Sequence, residues 1–285
     1  MDALLSVSSL YQLQMQKSEW HASLIQDNLN GGRTTVDDLD RLFDASQPTV
    51  LTVSGLDQHA FEHLCVKYGH LLCALDLWKC PHIADFSPLE AVVGLTHIAI
   101  FWNQKAEILW DLRSFPRLSG LQFQDFTKLR SLDCLANASH LHELDFGDKI
   151  SRKFVVPSLD PLRTLTGLKH LAFNPKAIAD GRIEPIACLT KLEEIEFPTN
   201  LFRTEQLAWL RARLSSTVQS SVLQPFKYLD NPTKLGNKQV DVLVMGKGKP
   251  FLSSKLDRAR IERYTTSFER LVSRYTLSGE PEPAP

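Results

Sequence analysis

The sequence predicts an α/β solenoid, in which short parallel strands stack into one curved sheet and return segments run along its outer side. Three observations lead there. A leucine pattern recurs six times, as Leu72-Leu75-Leu77, Leu95-Ile98-Ile100, Leu118-Leu121-Phe123, Leu141-Leu144-Phe146, Leu168-Leu171-Phe173 and Leu192-Ile195-Phe197. Its first positions are 23, 23, 23, 27 and 24 residues apart, a spacing typical of repeat architectures. In each copy the fourth and sixth positions flank a residue of a different kind, as in Leu144-Asp145-Phe146, the period-two mark of a strand buried on one face. One such strand cannot hold itself together. Stacked on its neighbours about 4.8 Å apart, it becomes a rung that shares a core.

These motifs resemble the leucine-rich repeat family over residues about 48–200. Three return segments, Phe86-Ser-Pro88-Leu89, Leu159-Asp-Pro161-Leu162 and Ile183-Glu-Pro185-Ile186, are similar to the proline-bearing convex side of short bacterial, internalin-type repeats. The resemblance implies a right-handed solenoid with a curved parallel sheet. It also implies an asparagine eight residues after the first leucine, whose amide satisfies backbone groups in the turn leaving the strand. Asn103 and Asn200 hold that place and Cys80 holds it in the first copy, while Phe126, Lys149 and Lys176 depart from it. The inner edge is therefore expected to be irregular near its middle.

Before the repeats, residues 1–47 are read as a helical N-terminal cap, with Thr35 as N-cap of a helix beginning at Val36 and Pro48 ending it. Val50 to Ser54 alternates as a strand 24 residues ahead of the first clear copy, so it is read as a degenerate first repeat whose return, His59 to Leu71, has helical spacing. The solenoid is expected over 48–214, ending in a helix with Thr204 as cap. Its one long insertion, Gly147 to Phe154, is polar and is expected to bulge from the edge where strands turn outward. Residues 215–277 read as an α+β unit, either capping the solenoid or appended to it. Its strands are Val222–Leu229 and Val240–Met245 around a loop from Asn231 to Asn237. Its helix, about Asp257 to Tyr275, carries the stripe Ile261, Tyr264, Phe268, Leu271 and Val272. Residues 278–285 are expected to be a disordered tail.

Composition narrows the function. A chain of 285 residues, 43% hydrophobic, buries a substantial core. A net charge of -1 and a pI near 6.8 give no global pull towards nucleic acid or membrane, and no apolar run has transmembrane length. The first residues lack a basic n-region, and five scattered cysteines suit a reducing compartment. The expected location is the cytoplasm of a bacterium.

Catalytic signatures are absent from the sequence. Gly246-Lys-Gly-Lys249 is followed by Pro250 rather than by the Lys-Ser/Thr pair of a phosphate loop, so it reads as a tight turn. His59, His63, Cys65, Cys80 and His82 match no four-ligand zinc spacing. Residues 234–275 hold ten Lys/Arg against four Asp/Glu, but without interleaved aromatics they read as a solvated helix face. No catalytic residue, metal or cofactor is expected.

The fold makes the solvent-facing strand positions the candidate binding residues. They are Asp76, Trp78, His97, Phe101, Gln122, Gln124, Glu143, Asp145, His170, Asn174, Glu194 and Glu196. Exposed Trp and Phe on one face mark a contact, and the carboxylates point to a partner with a basic surface and an apolar spot. The sequence thus predicts a protein-binding module, acting as adaptor, regulator or inhibitor through its concave face, with no nucleic acid and no membrane involved. The competing reading is an enzyme or nucleotide/phosphate-binding protein with its active part in 215–275, the repeats selecting the target.

Overall fold

Each copy of the leucine pattern becomes one strand, and the strands pair in chain order because every return segment brings the chain back beside the strand it left. A computed structural model describes residues 7–15, 19–236 and 238–285 of the protein. Its strands up to the end of the repeats are β1 (His21–Leu24), β2 (Val50–Val53), β3 (Ala74–Trp78), β4 (His97–Asn103), β5 (Gly120–Phe126), β6 (Glu143–Gly147), β7 (Val155–Val156), β8 (His170–Asn174), β9 (Ala177–Ile178) and β10 (Glu194–Glu196). Eight of them form one parallel sheet in the order β1-β2-β3-β4-β5-β6-β8-β10, while β7 and β9 pair separately. The helices of this part are α1 (Leu10–Met15), α2 (Val36–Ser46) and α3 (Gln58–His63).

The register has no slip. Leu75, Ile98, Leu121, Leu144, Leu171 and Ile195 are direct partners across successive strands, and each is at most 2% exposed. Fully burying one such side chain is worth about 1.5–3 kcal/mol. The sixth positions make a second row. There Phe123, Phe146, Phe173 and Phe197 stack with centroids 5.5, 5.6 and 5.0 Å apart, a spacing set by the rungs themselves.

Return segments are 3-10 turns rather than helices. Ser87–Ala91, Asp160–Thr164 and Glu184–Cys188 each carry a proline in the first turn, and Leu112–Ser114 and Asp133–Asn137 do without one. Each turn drives one aliphatic residue inside (Leu89, Leu112, Leu135, Leu162 or Ile186, all at 0% exposure). The first return keeps its helical reading: α3 runs into a π turn at Leu64–Tyr68 and a 3-10 turn at Gly69–Leu71.

Leaving the strand, the chain turns through a left-handed residue at one fixed repeat position. Lys79, Trp102 and Asp125 have φ of 54, 64 and 56°. The next residue points inward. Asn103, 0% exposed, donates to the carbonyls of Cys80 and Ile83 (3.2 and 2.8 Å) and accepts the amides of Lys105 and Ala106 (3.0 and 2.9 Å). Cys80 is also buried, its thiol 3.7 Å from the Val53 carbonyl. Asn200 departs from this. It is exposed in a turn after the last rung, because no further rung encloses it.

One difference stands at the N-terminus. The sheet has eight strands rather than seven, since His21–Leu24 pairs in parallel with β2. Thr35 caps α2 as expected, in a capping box with Asp38. Of the expected cap, residues 1–6 and 16–18 lie outside the described residues.

After the repeats come α4 (Thr204–Arg213), β11 (Phe226–Leu235), β12 (Lys238–Val244), β13 (Phe251–Leu252) and α5 (Arg258–Ser278). Arg203 rather than Thr204 holds the N-cap position of α4, and the Thr204 hydroxyl donates instead to the Met245 carbonyl. The strands form an antiparallel sheet, β11-β12-β13. Residues 231–235, expected as loop, extend β11 beyond an irregularity between Tyr228 and Thr233 that accommodates Pro232. On α5, Ile261 and Tyr264 pack on Val242, Val244 and Leu252, whereas Phe268 and Tyr275 join the same core as the repeats. Along β10, Gln219 exchanges backbone hydrogen bonds with Ile195 and Glu193.

Residues 278–285, expected to be disordered, lie against the solenoid. Glu280 O accepts from the Trp209 indole and the Arg213 guanidinium, and the Glu282 carboxylate accepts the amides of Ile183 and Glu184 (2.9 and 3.0 Å). Glu282 thereby satisfies the open N-terminus of a 3-10 turn. Composition alone cannot show such a contact.

Candidate functional site: the concave face

Strand alternation sends one set of side chains to the concave face, and register sets which of them are neighbours. Trp78 and Phe101 are direct partners, with rings stacked 4.4 Å apart at 23°. Lys79 reaches over this corner, its ammonium 5.8 Å from the Trp78 ring and 5.6 Å from the Trp102 ring. The aromatic edge expected from the sequence is therefore present, although Phe101 is only 5% exposed.

The face is not empty. Helix α1 lies on it, against β3, β4 and β5. The groove it occupies is made of small residues, Ala74, Ala99 and Gly120, on three successive strands. Leu13 is 1% exposed and, with Val7, packs on Val50, Ala74 and Ala99. A Cβ on Gly120 would stand 2.4 Å from His97 Cδ2 and 3.1 Å from Leu10 Cγ, so a larger residue there would push the helix away. At its start the Leu10 amide donates to Glu143 Oε2 at 2.9 Å, satisfying one of the helix's orphan donors. Further along, the Gln14 amide nitrogen donates to Gln122 Oε1.

Burial corrects the list of accessible residues. Asp76, His97, Phe101, Gln122 and Gln124 are all buried rather than solvent-facing. Trp78, Glu143, Asp145 and Glu196 are half-buried, and only His170, Asn174 and Glu194 are exposed. The open part of the face is thus β6, β8 and β10. Between it and α1 lies a cavity of about 310 Å3, with Leu10, Tyr11 and Gln14 on one side and Glu143, Asp145, His170, Glu194 and Glu196 on the other.

Its carboxylates have distinct partners. Asp145 accepts from the amides of both Gln122 and Gln124, at 2.7 and 2.6 Å. Glu194 faces His170 Nδ1 at 3.3 Å. Glu196 accepts the amide and hydroxyl of Ser221 and so braces the chain beyond the last rung.

Under α1 the chemistry is different. Burial pushes the Asp76 carboxyl up to about 7, against the opposing pull of the Thr52 hydroxyl and the Lys149 charge. Burial pushes His97 down to about 4, helped by repulsion from His142. Asp76 Oδ1 and His97 Nε2 have no hydrogen-bond partner among the described residues.

Features outside this face have structural employment. The Gly246–Pro250 turn lies against the start of α4, with a Gly246 Cβ only 2.3 Å from Thr204 Oγ1. Two of its amides are engaged, Lys247 N with Phe202 O and Lys249 N with Gly246 O, as in a tight turn. His63, Tyr68 and Lys67 converge on Asp40 at 2.6, 2.7 and 3.0 Å and hold its carboxyl well below the usual range, Tyr68 most of all. Burial pushes the Cys65 and Cys80 thiols up to about 12. Among the described residues no three His, Cys, Asp or Glu side chains are grouped to hold a metal, and no helix is long and apolar enough to cross a membrane.

The stacked rungs, the inward amide of Asn103 and the proline-bearing 3-10 turns define the fold of leucine-rich repeat proteins. Solved structures share it. The chain is similar to TLR13 in its complex with ssRNA13, at 15% identity and a TM-score of 0.53, over 68% of this chain and 28% of that one. An internalin (inlF) of Listeria monocytogenes matches at 18% identity and a TM-score of 0.48, over 69% of this chain and 57% of its own. Toll of Drosophila, in complex with Spatzle, matches at 17% identity and a TM-score of 0.44, over 64% and 25%. The chain therefore spans little more than half the length of the internalin and about a quarter of the other two. Compared by sequence, it matches no family model and no curated protein.

Proposed function

We propose that the protein is a binding module that takes a protein partner on the open part of its concave face, over β6, β8 and β10, with α1 as one wall of the site. The observation that carries this reading is the cavity itself. It sets an apolar wall, Leu10 and the 66% exposed Tyr11, opposite the carboxylates of Glu143, Asp145 and Glu194. A basic surface bearing one apolar anchor complements it. Of the same fold, TLR13 is solved with an RNA. A carboxylate-lined face favours a cationic protein surface over a phosphate backbone.

The test is capture with the full chain as bait, comparing wild type with Tyr11→Ala and Glu194→Lys. Both residues are exposed and neither anchors the core. Partners retained by wild type and lost from both variants support the reading. Equal capture by all three baits refutes it.

A further inference from the structure

The insertion from Gly147 to Phe154, which lengthens one repeat step to 27 residues, is built as a platform rather than a slack loop. Buried Asp125 accepts the amides of Lys149, Ile150 and Ser151 at 3.1, 2.9 and 2.7 Å. Buried Asp148 accepts the Ser151 hydroxyl and the Phe154 amide, both at 2.7 Å. Phe154 O in turn accepts the Lys176 amide at 2.8 Å, and the β7–β9 pair fixes the two segments side by side.

What this platform holds is a cluster of cations. Lys149, Arg152 and Lys176, with the amides of Asn174 and Asn200, line a cavity of about 340 Å3 at the edge where the strands turn outward, and no carboxylate lines it. None of the three cations makes a salt bridge among the described residues. Like charges held around one concavity repel, and an anion entering it removes that cost. Arg152 is also held at φ 48°, a left-handed conformation unfavourable to any residue but glycine, Asn or Asp. Local structure asks for glycine there; an arginine suits a ligand.

We propose that this pocket binds a phosphate monoester carried by the protein partner, placed beside the concave face through Lys149, which lines both cavities. The inference rests on the protein-partner reading above. A planar guanidinium pairs two phosphate oxygens at once, and two ammonium groups neutralise the dianion. A local cluster of three cations around one concavity suits one terminal phosphate. A nucleic-acid strand, with its continuing backbone charge, would meet the neighbouring carboxylates of Asp145 and Glu196.

The experiment titrates the full chain, 15N-labelled and at low ionic strength, with O-phospho-L-serine, inorganic phosphate, serine, chloride and a single-stranded oligonucleotide. O-phosphoserine and inorganic phosphate should shift the Asn174 and Asn200 side-chain signals saturably, and serine and chloride should not. Arg152→Gly should lower that affinity about tenfold or more while leaving the melting temperature unchanged or higher, because the backbone strain is relieved. Lys149→Ala with Lys176→Ala should lose binding without loss of fold. The proposal is overturned if the shifts are absent, matched by chloride, or intact in these variants. It is also overturned if phosphate binds and its serine ester does not, or if the oligonucleotide binds the same residues more tightly. Since no partner is needed, failure here is distinct from failure of the capture experiment.

Discussion

The amide of Leu10 and the carboxylate of Glu143, 133 residues apart in the chain, meet at 2.9 Å across the concave face. That hydrogen bond and the Leu13 contacts beneath it keep water from the floor of β3 to β5. Leu13→Asp should therefore detach α1 while the repeats stay folded. The readout is the His97 imidazole, now pushed down to about 4. In the variant its NMR titration should move up towards the ordinary value of about 6.5. A midpoint unchanged from wild type would show that α1 does not dry this site.

Asp76 and His97 should give stability opposite pH dependences. Folded Asp76 keeps its proton up to about 7, whereas the unfolded carboxyl, with an ordinary value of 3.8, has lost it. The folded state then binds the extra proton, so this contribution falls as pH rises from about 4 to 7. Folded His97 refuses a proton until about 4, while the unfolded imidazole takes one below 6.5. That contribution grows as pH rises from about 4 to 6.5. Each slope approaches about 1.4 kcal/mol per pH unit, and in the wild type they offset each other across that window. Asp76→Asn should therefore gain stability from pH 4 to 6.5, and His97→Gln should lose it from pH 4 to 7. Parallel profiles in denaturant melts would refute the pairing.

Leu144→Ala should cost about 2–5 kcal/mol by opening a cavity in the row of fourth positions. Its neighbour Gln122 faces the other side of the sheet, yet its truncation is not silent. Its buried amide joins Asp145 to Gln14, so Gln122→Ala should cost about 1–3 kcal/mol. Melts in urea separate the two, and an unchanged midpoint at either site counts against the packing described.

Asn103→Leu should destabilise by about 3 kcal/mol or more, because two carbonyls and two amides lose their partner in a site closed to water. Asn200→Leu should change the midpoint by less than about 0.5 kcal/mol, as an exposed substitution. Equal losses at the two positions would sink the distinction.

The core of this fold was legible because each rung repeats its own rule. Leu121, Leu144 and Leu171 share a repeat position, and position decides burial wherever one face of a strand is closed. The candidate site was legible only in part, for two reasons. Helix α1 has six residues, too few for helical periodicity to stand out, with Leu10 and Leu13 as its buried pair. Its groove is written in Ala74, Ala99 and Gly120, which are scattered along the chain and look like neutral positions singly. Asp76, His97 and Gln122 therefore read as exposed although a distant segment covers them. Strand β1 was missed because His21-Ala-Ser-Leu24 carries no leucine frame. Asn103 and Asn200 were read alike from their shared repeat position, but only Asn103 sits between rungs that supply its backbone partners, which the position alone does not show.

Stacked repeats ordinarily feel only their immediate neighbours, so their arrays fray from the ends one unit at a time. Here α1 touches β3, β4 and β5 and is tied to β6 through Glu143, so it spans four rungs that would otherwise communicate in series. It acts as a chord across an arc. Opening any one of those rungs also strips contacts from α1, so the four are coupled through it. Coupling between rungs in the middle of the array thus draws on a segment that comes before the first repeat.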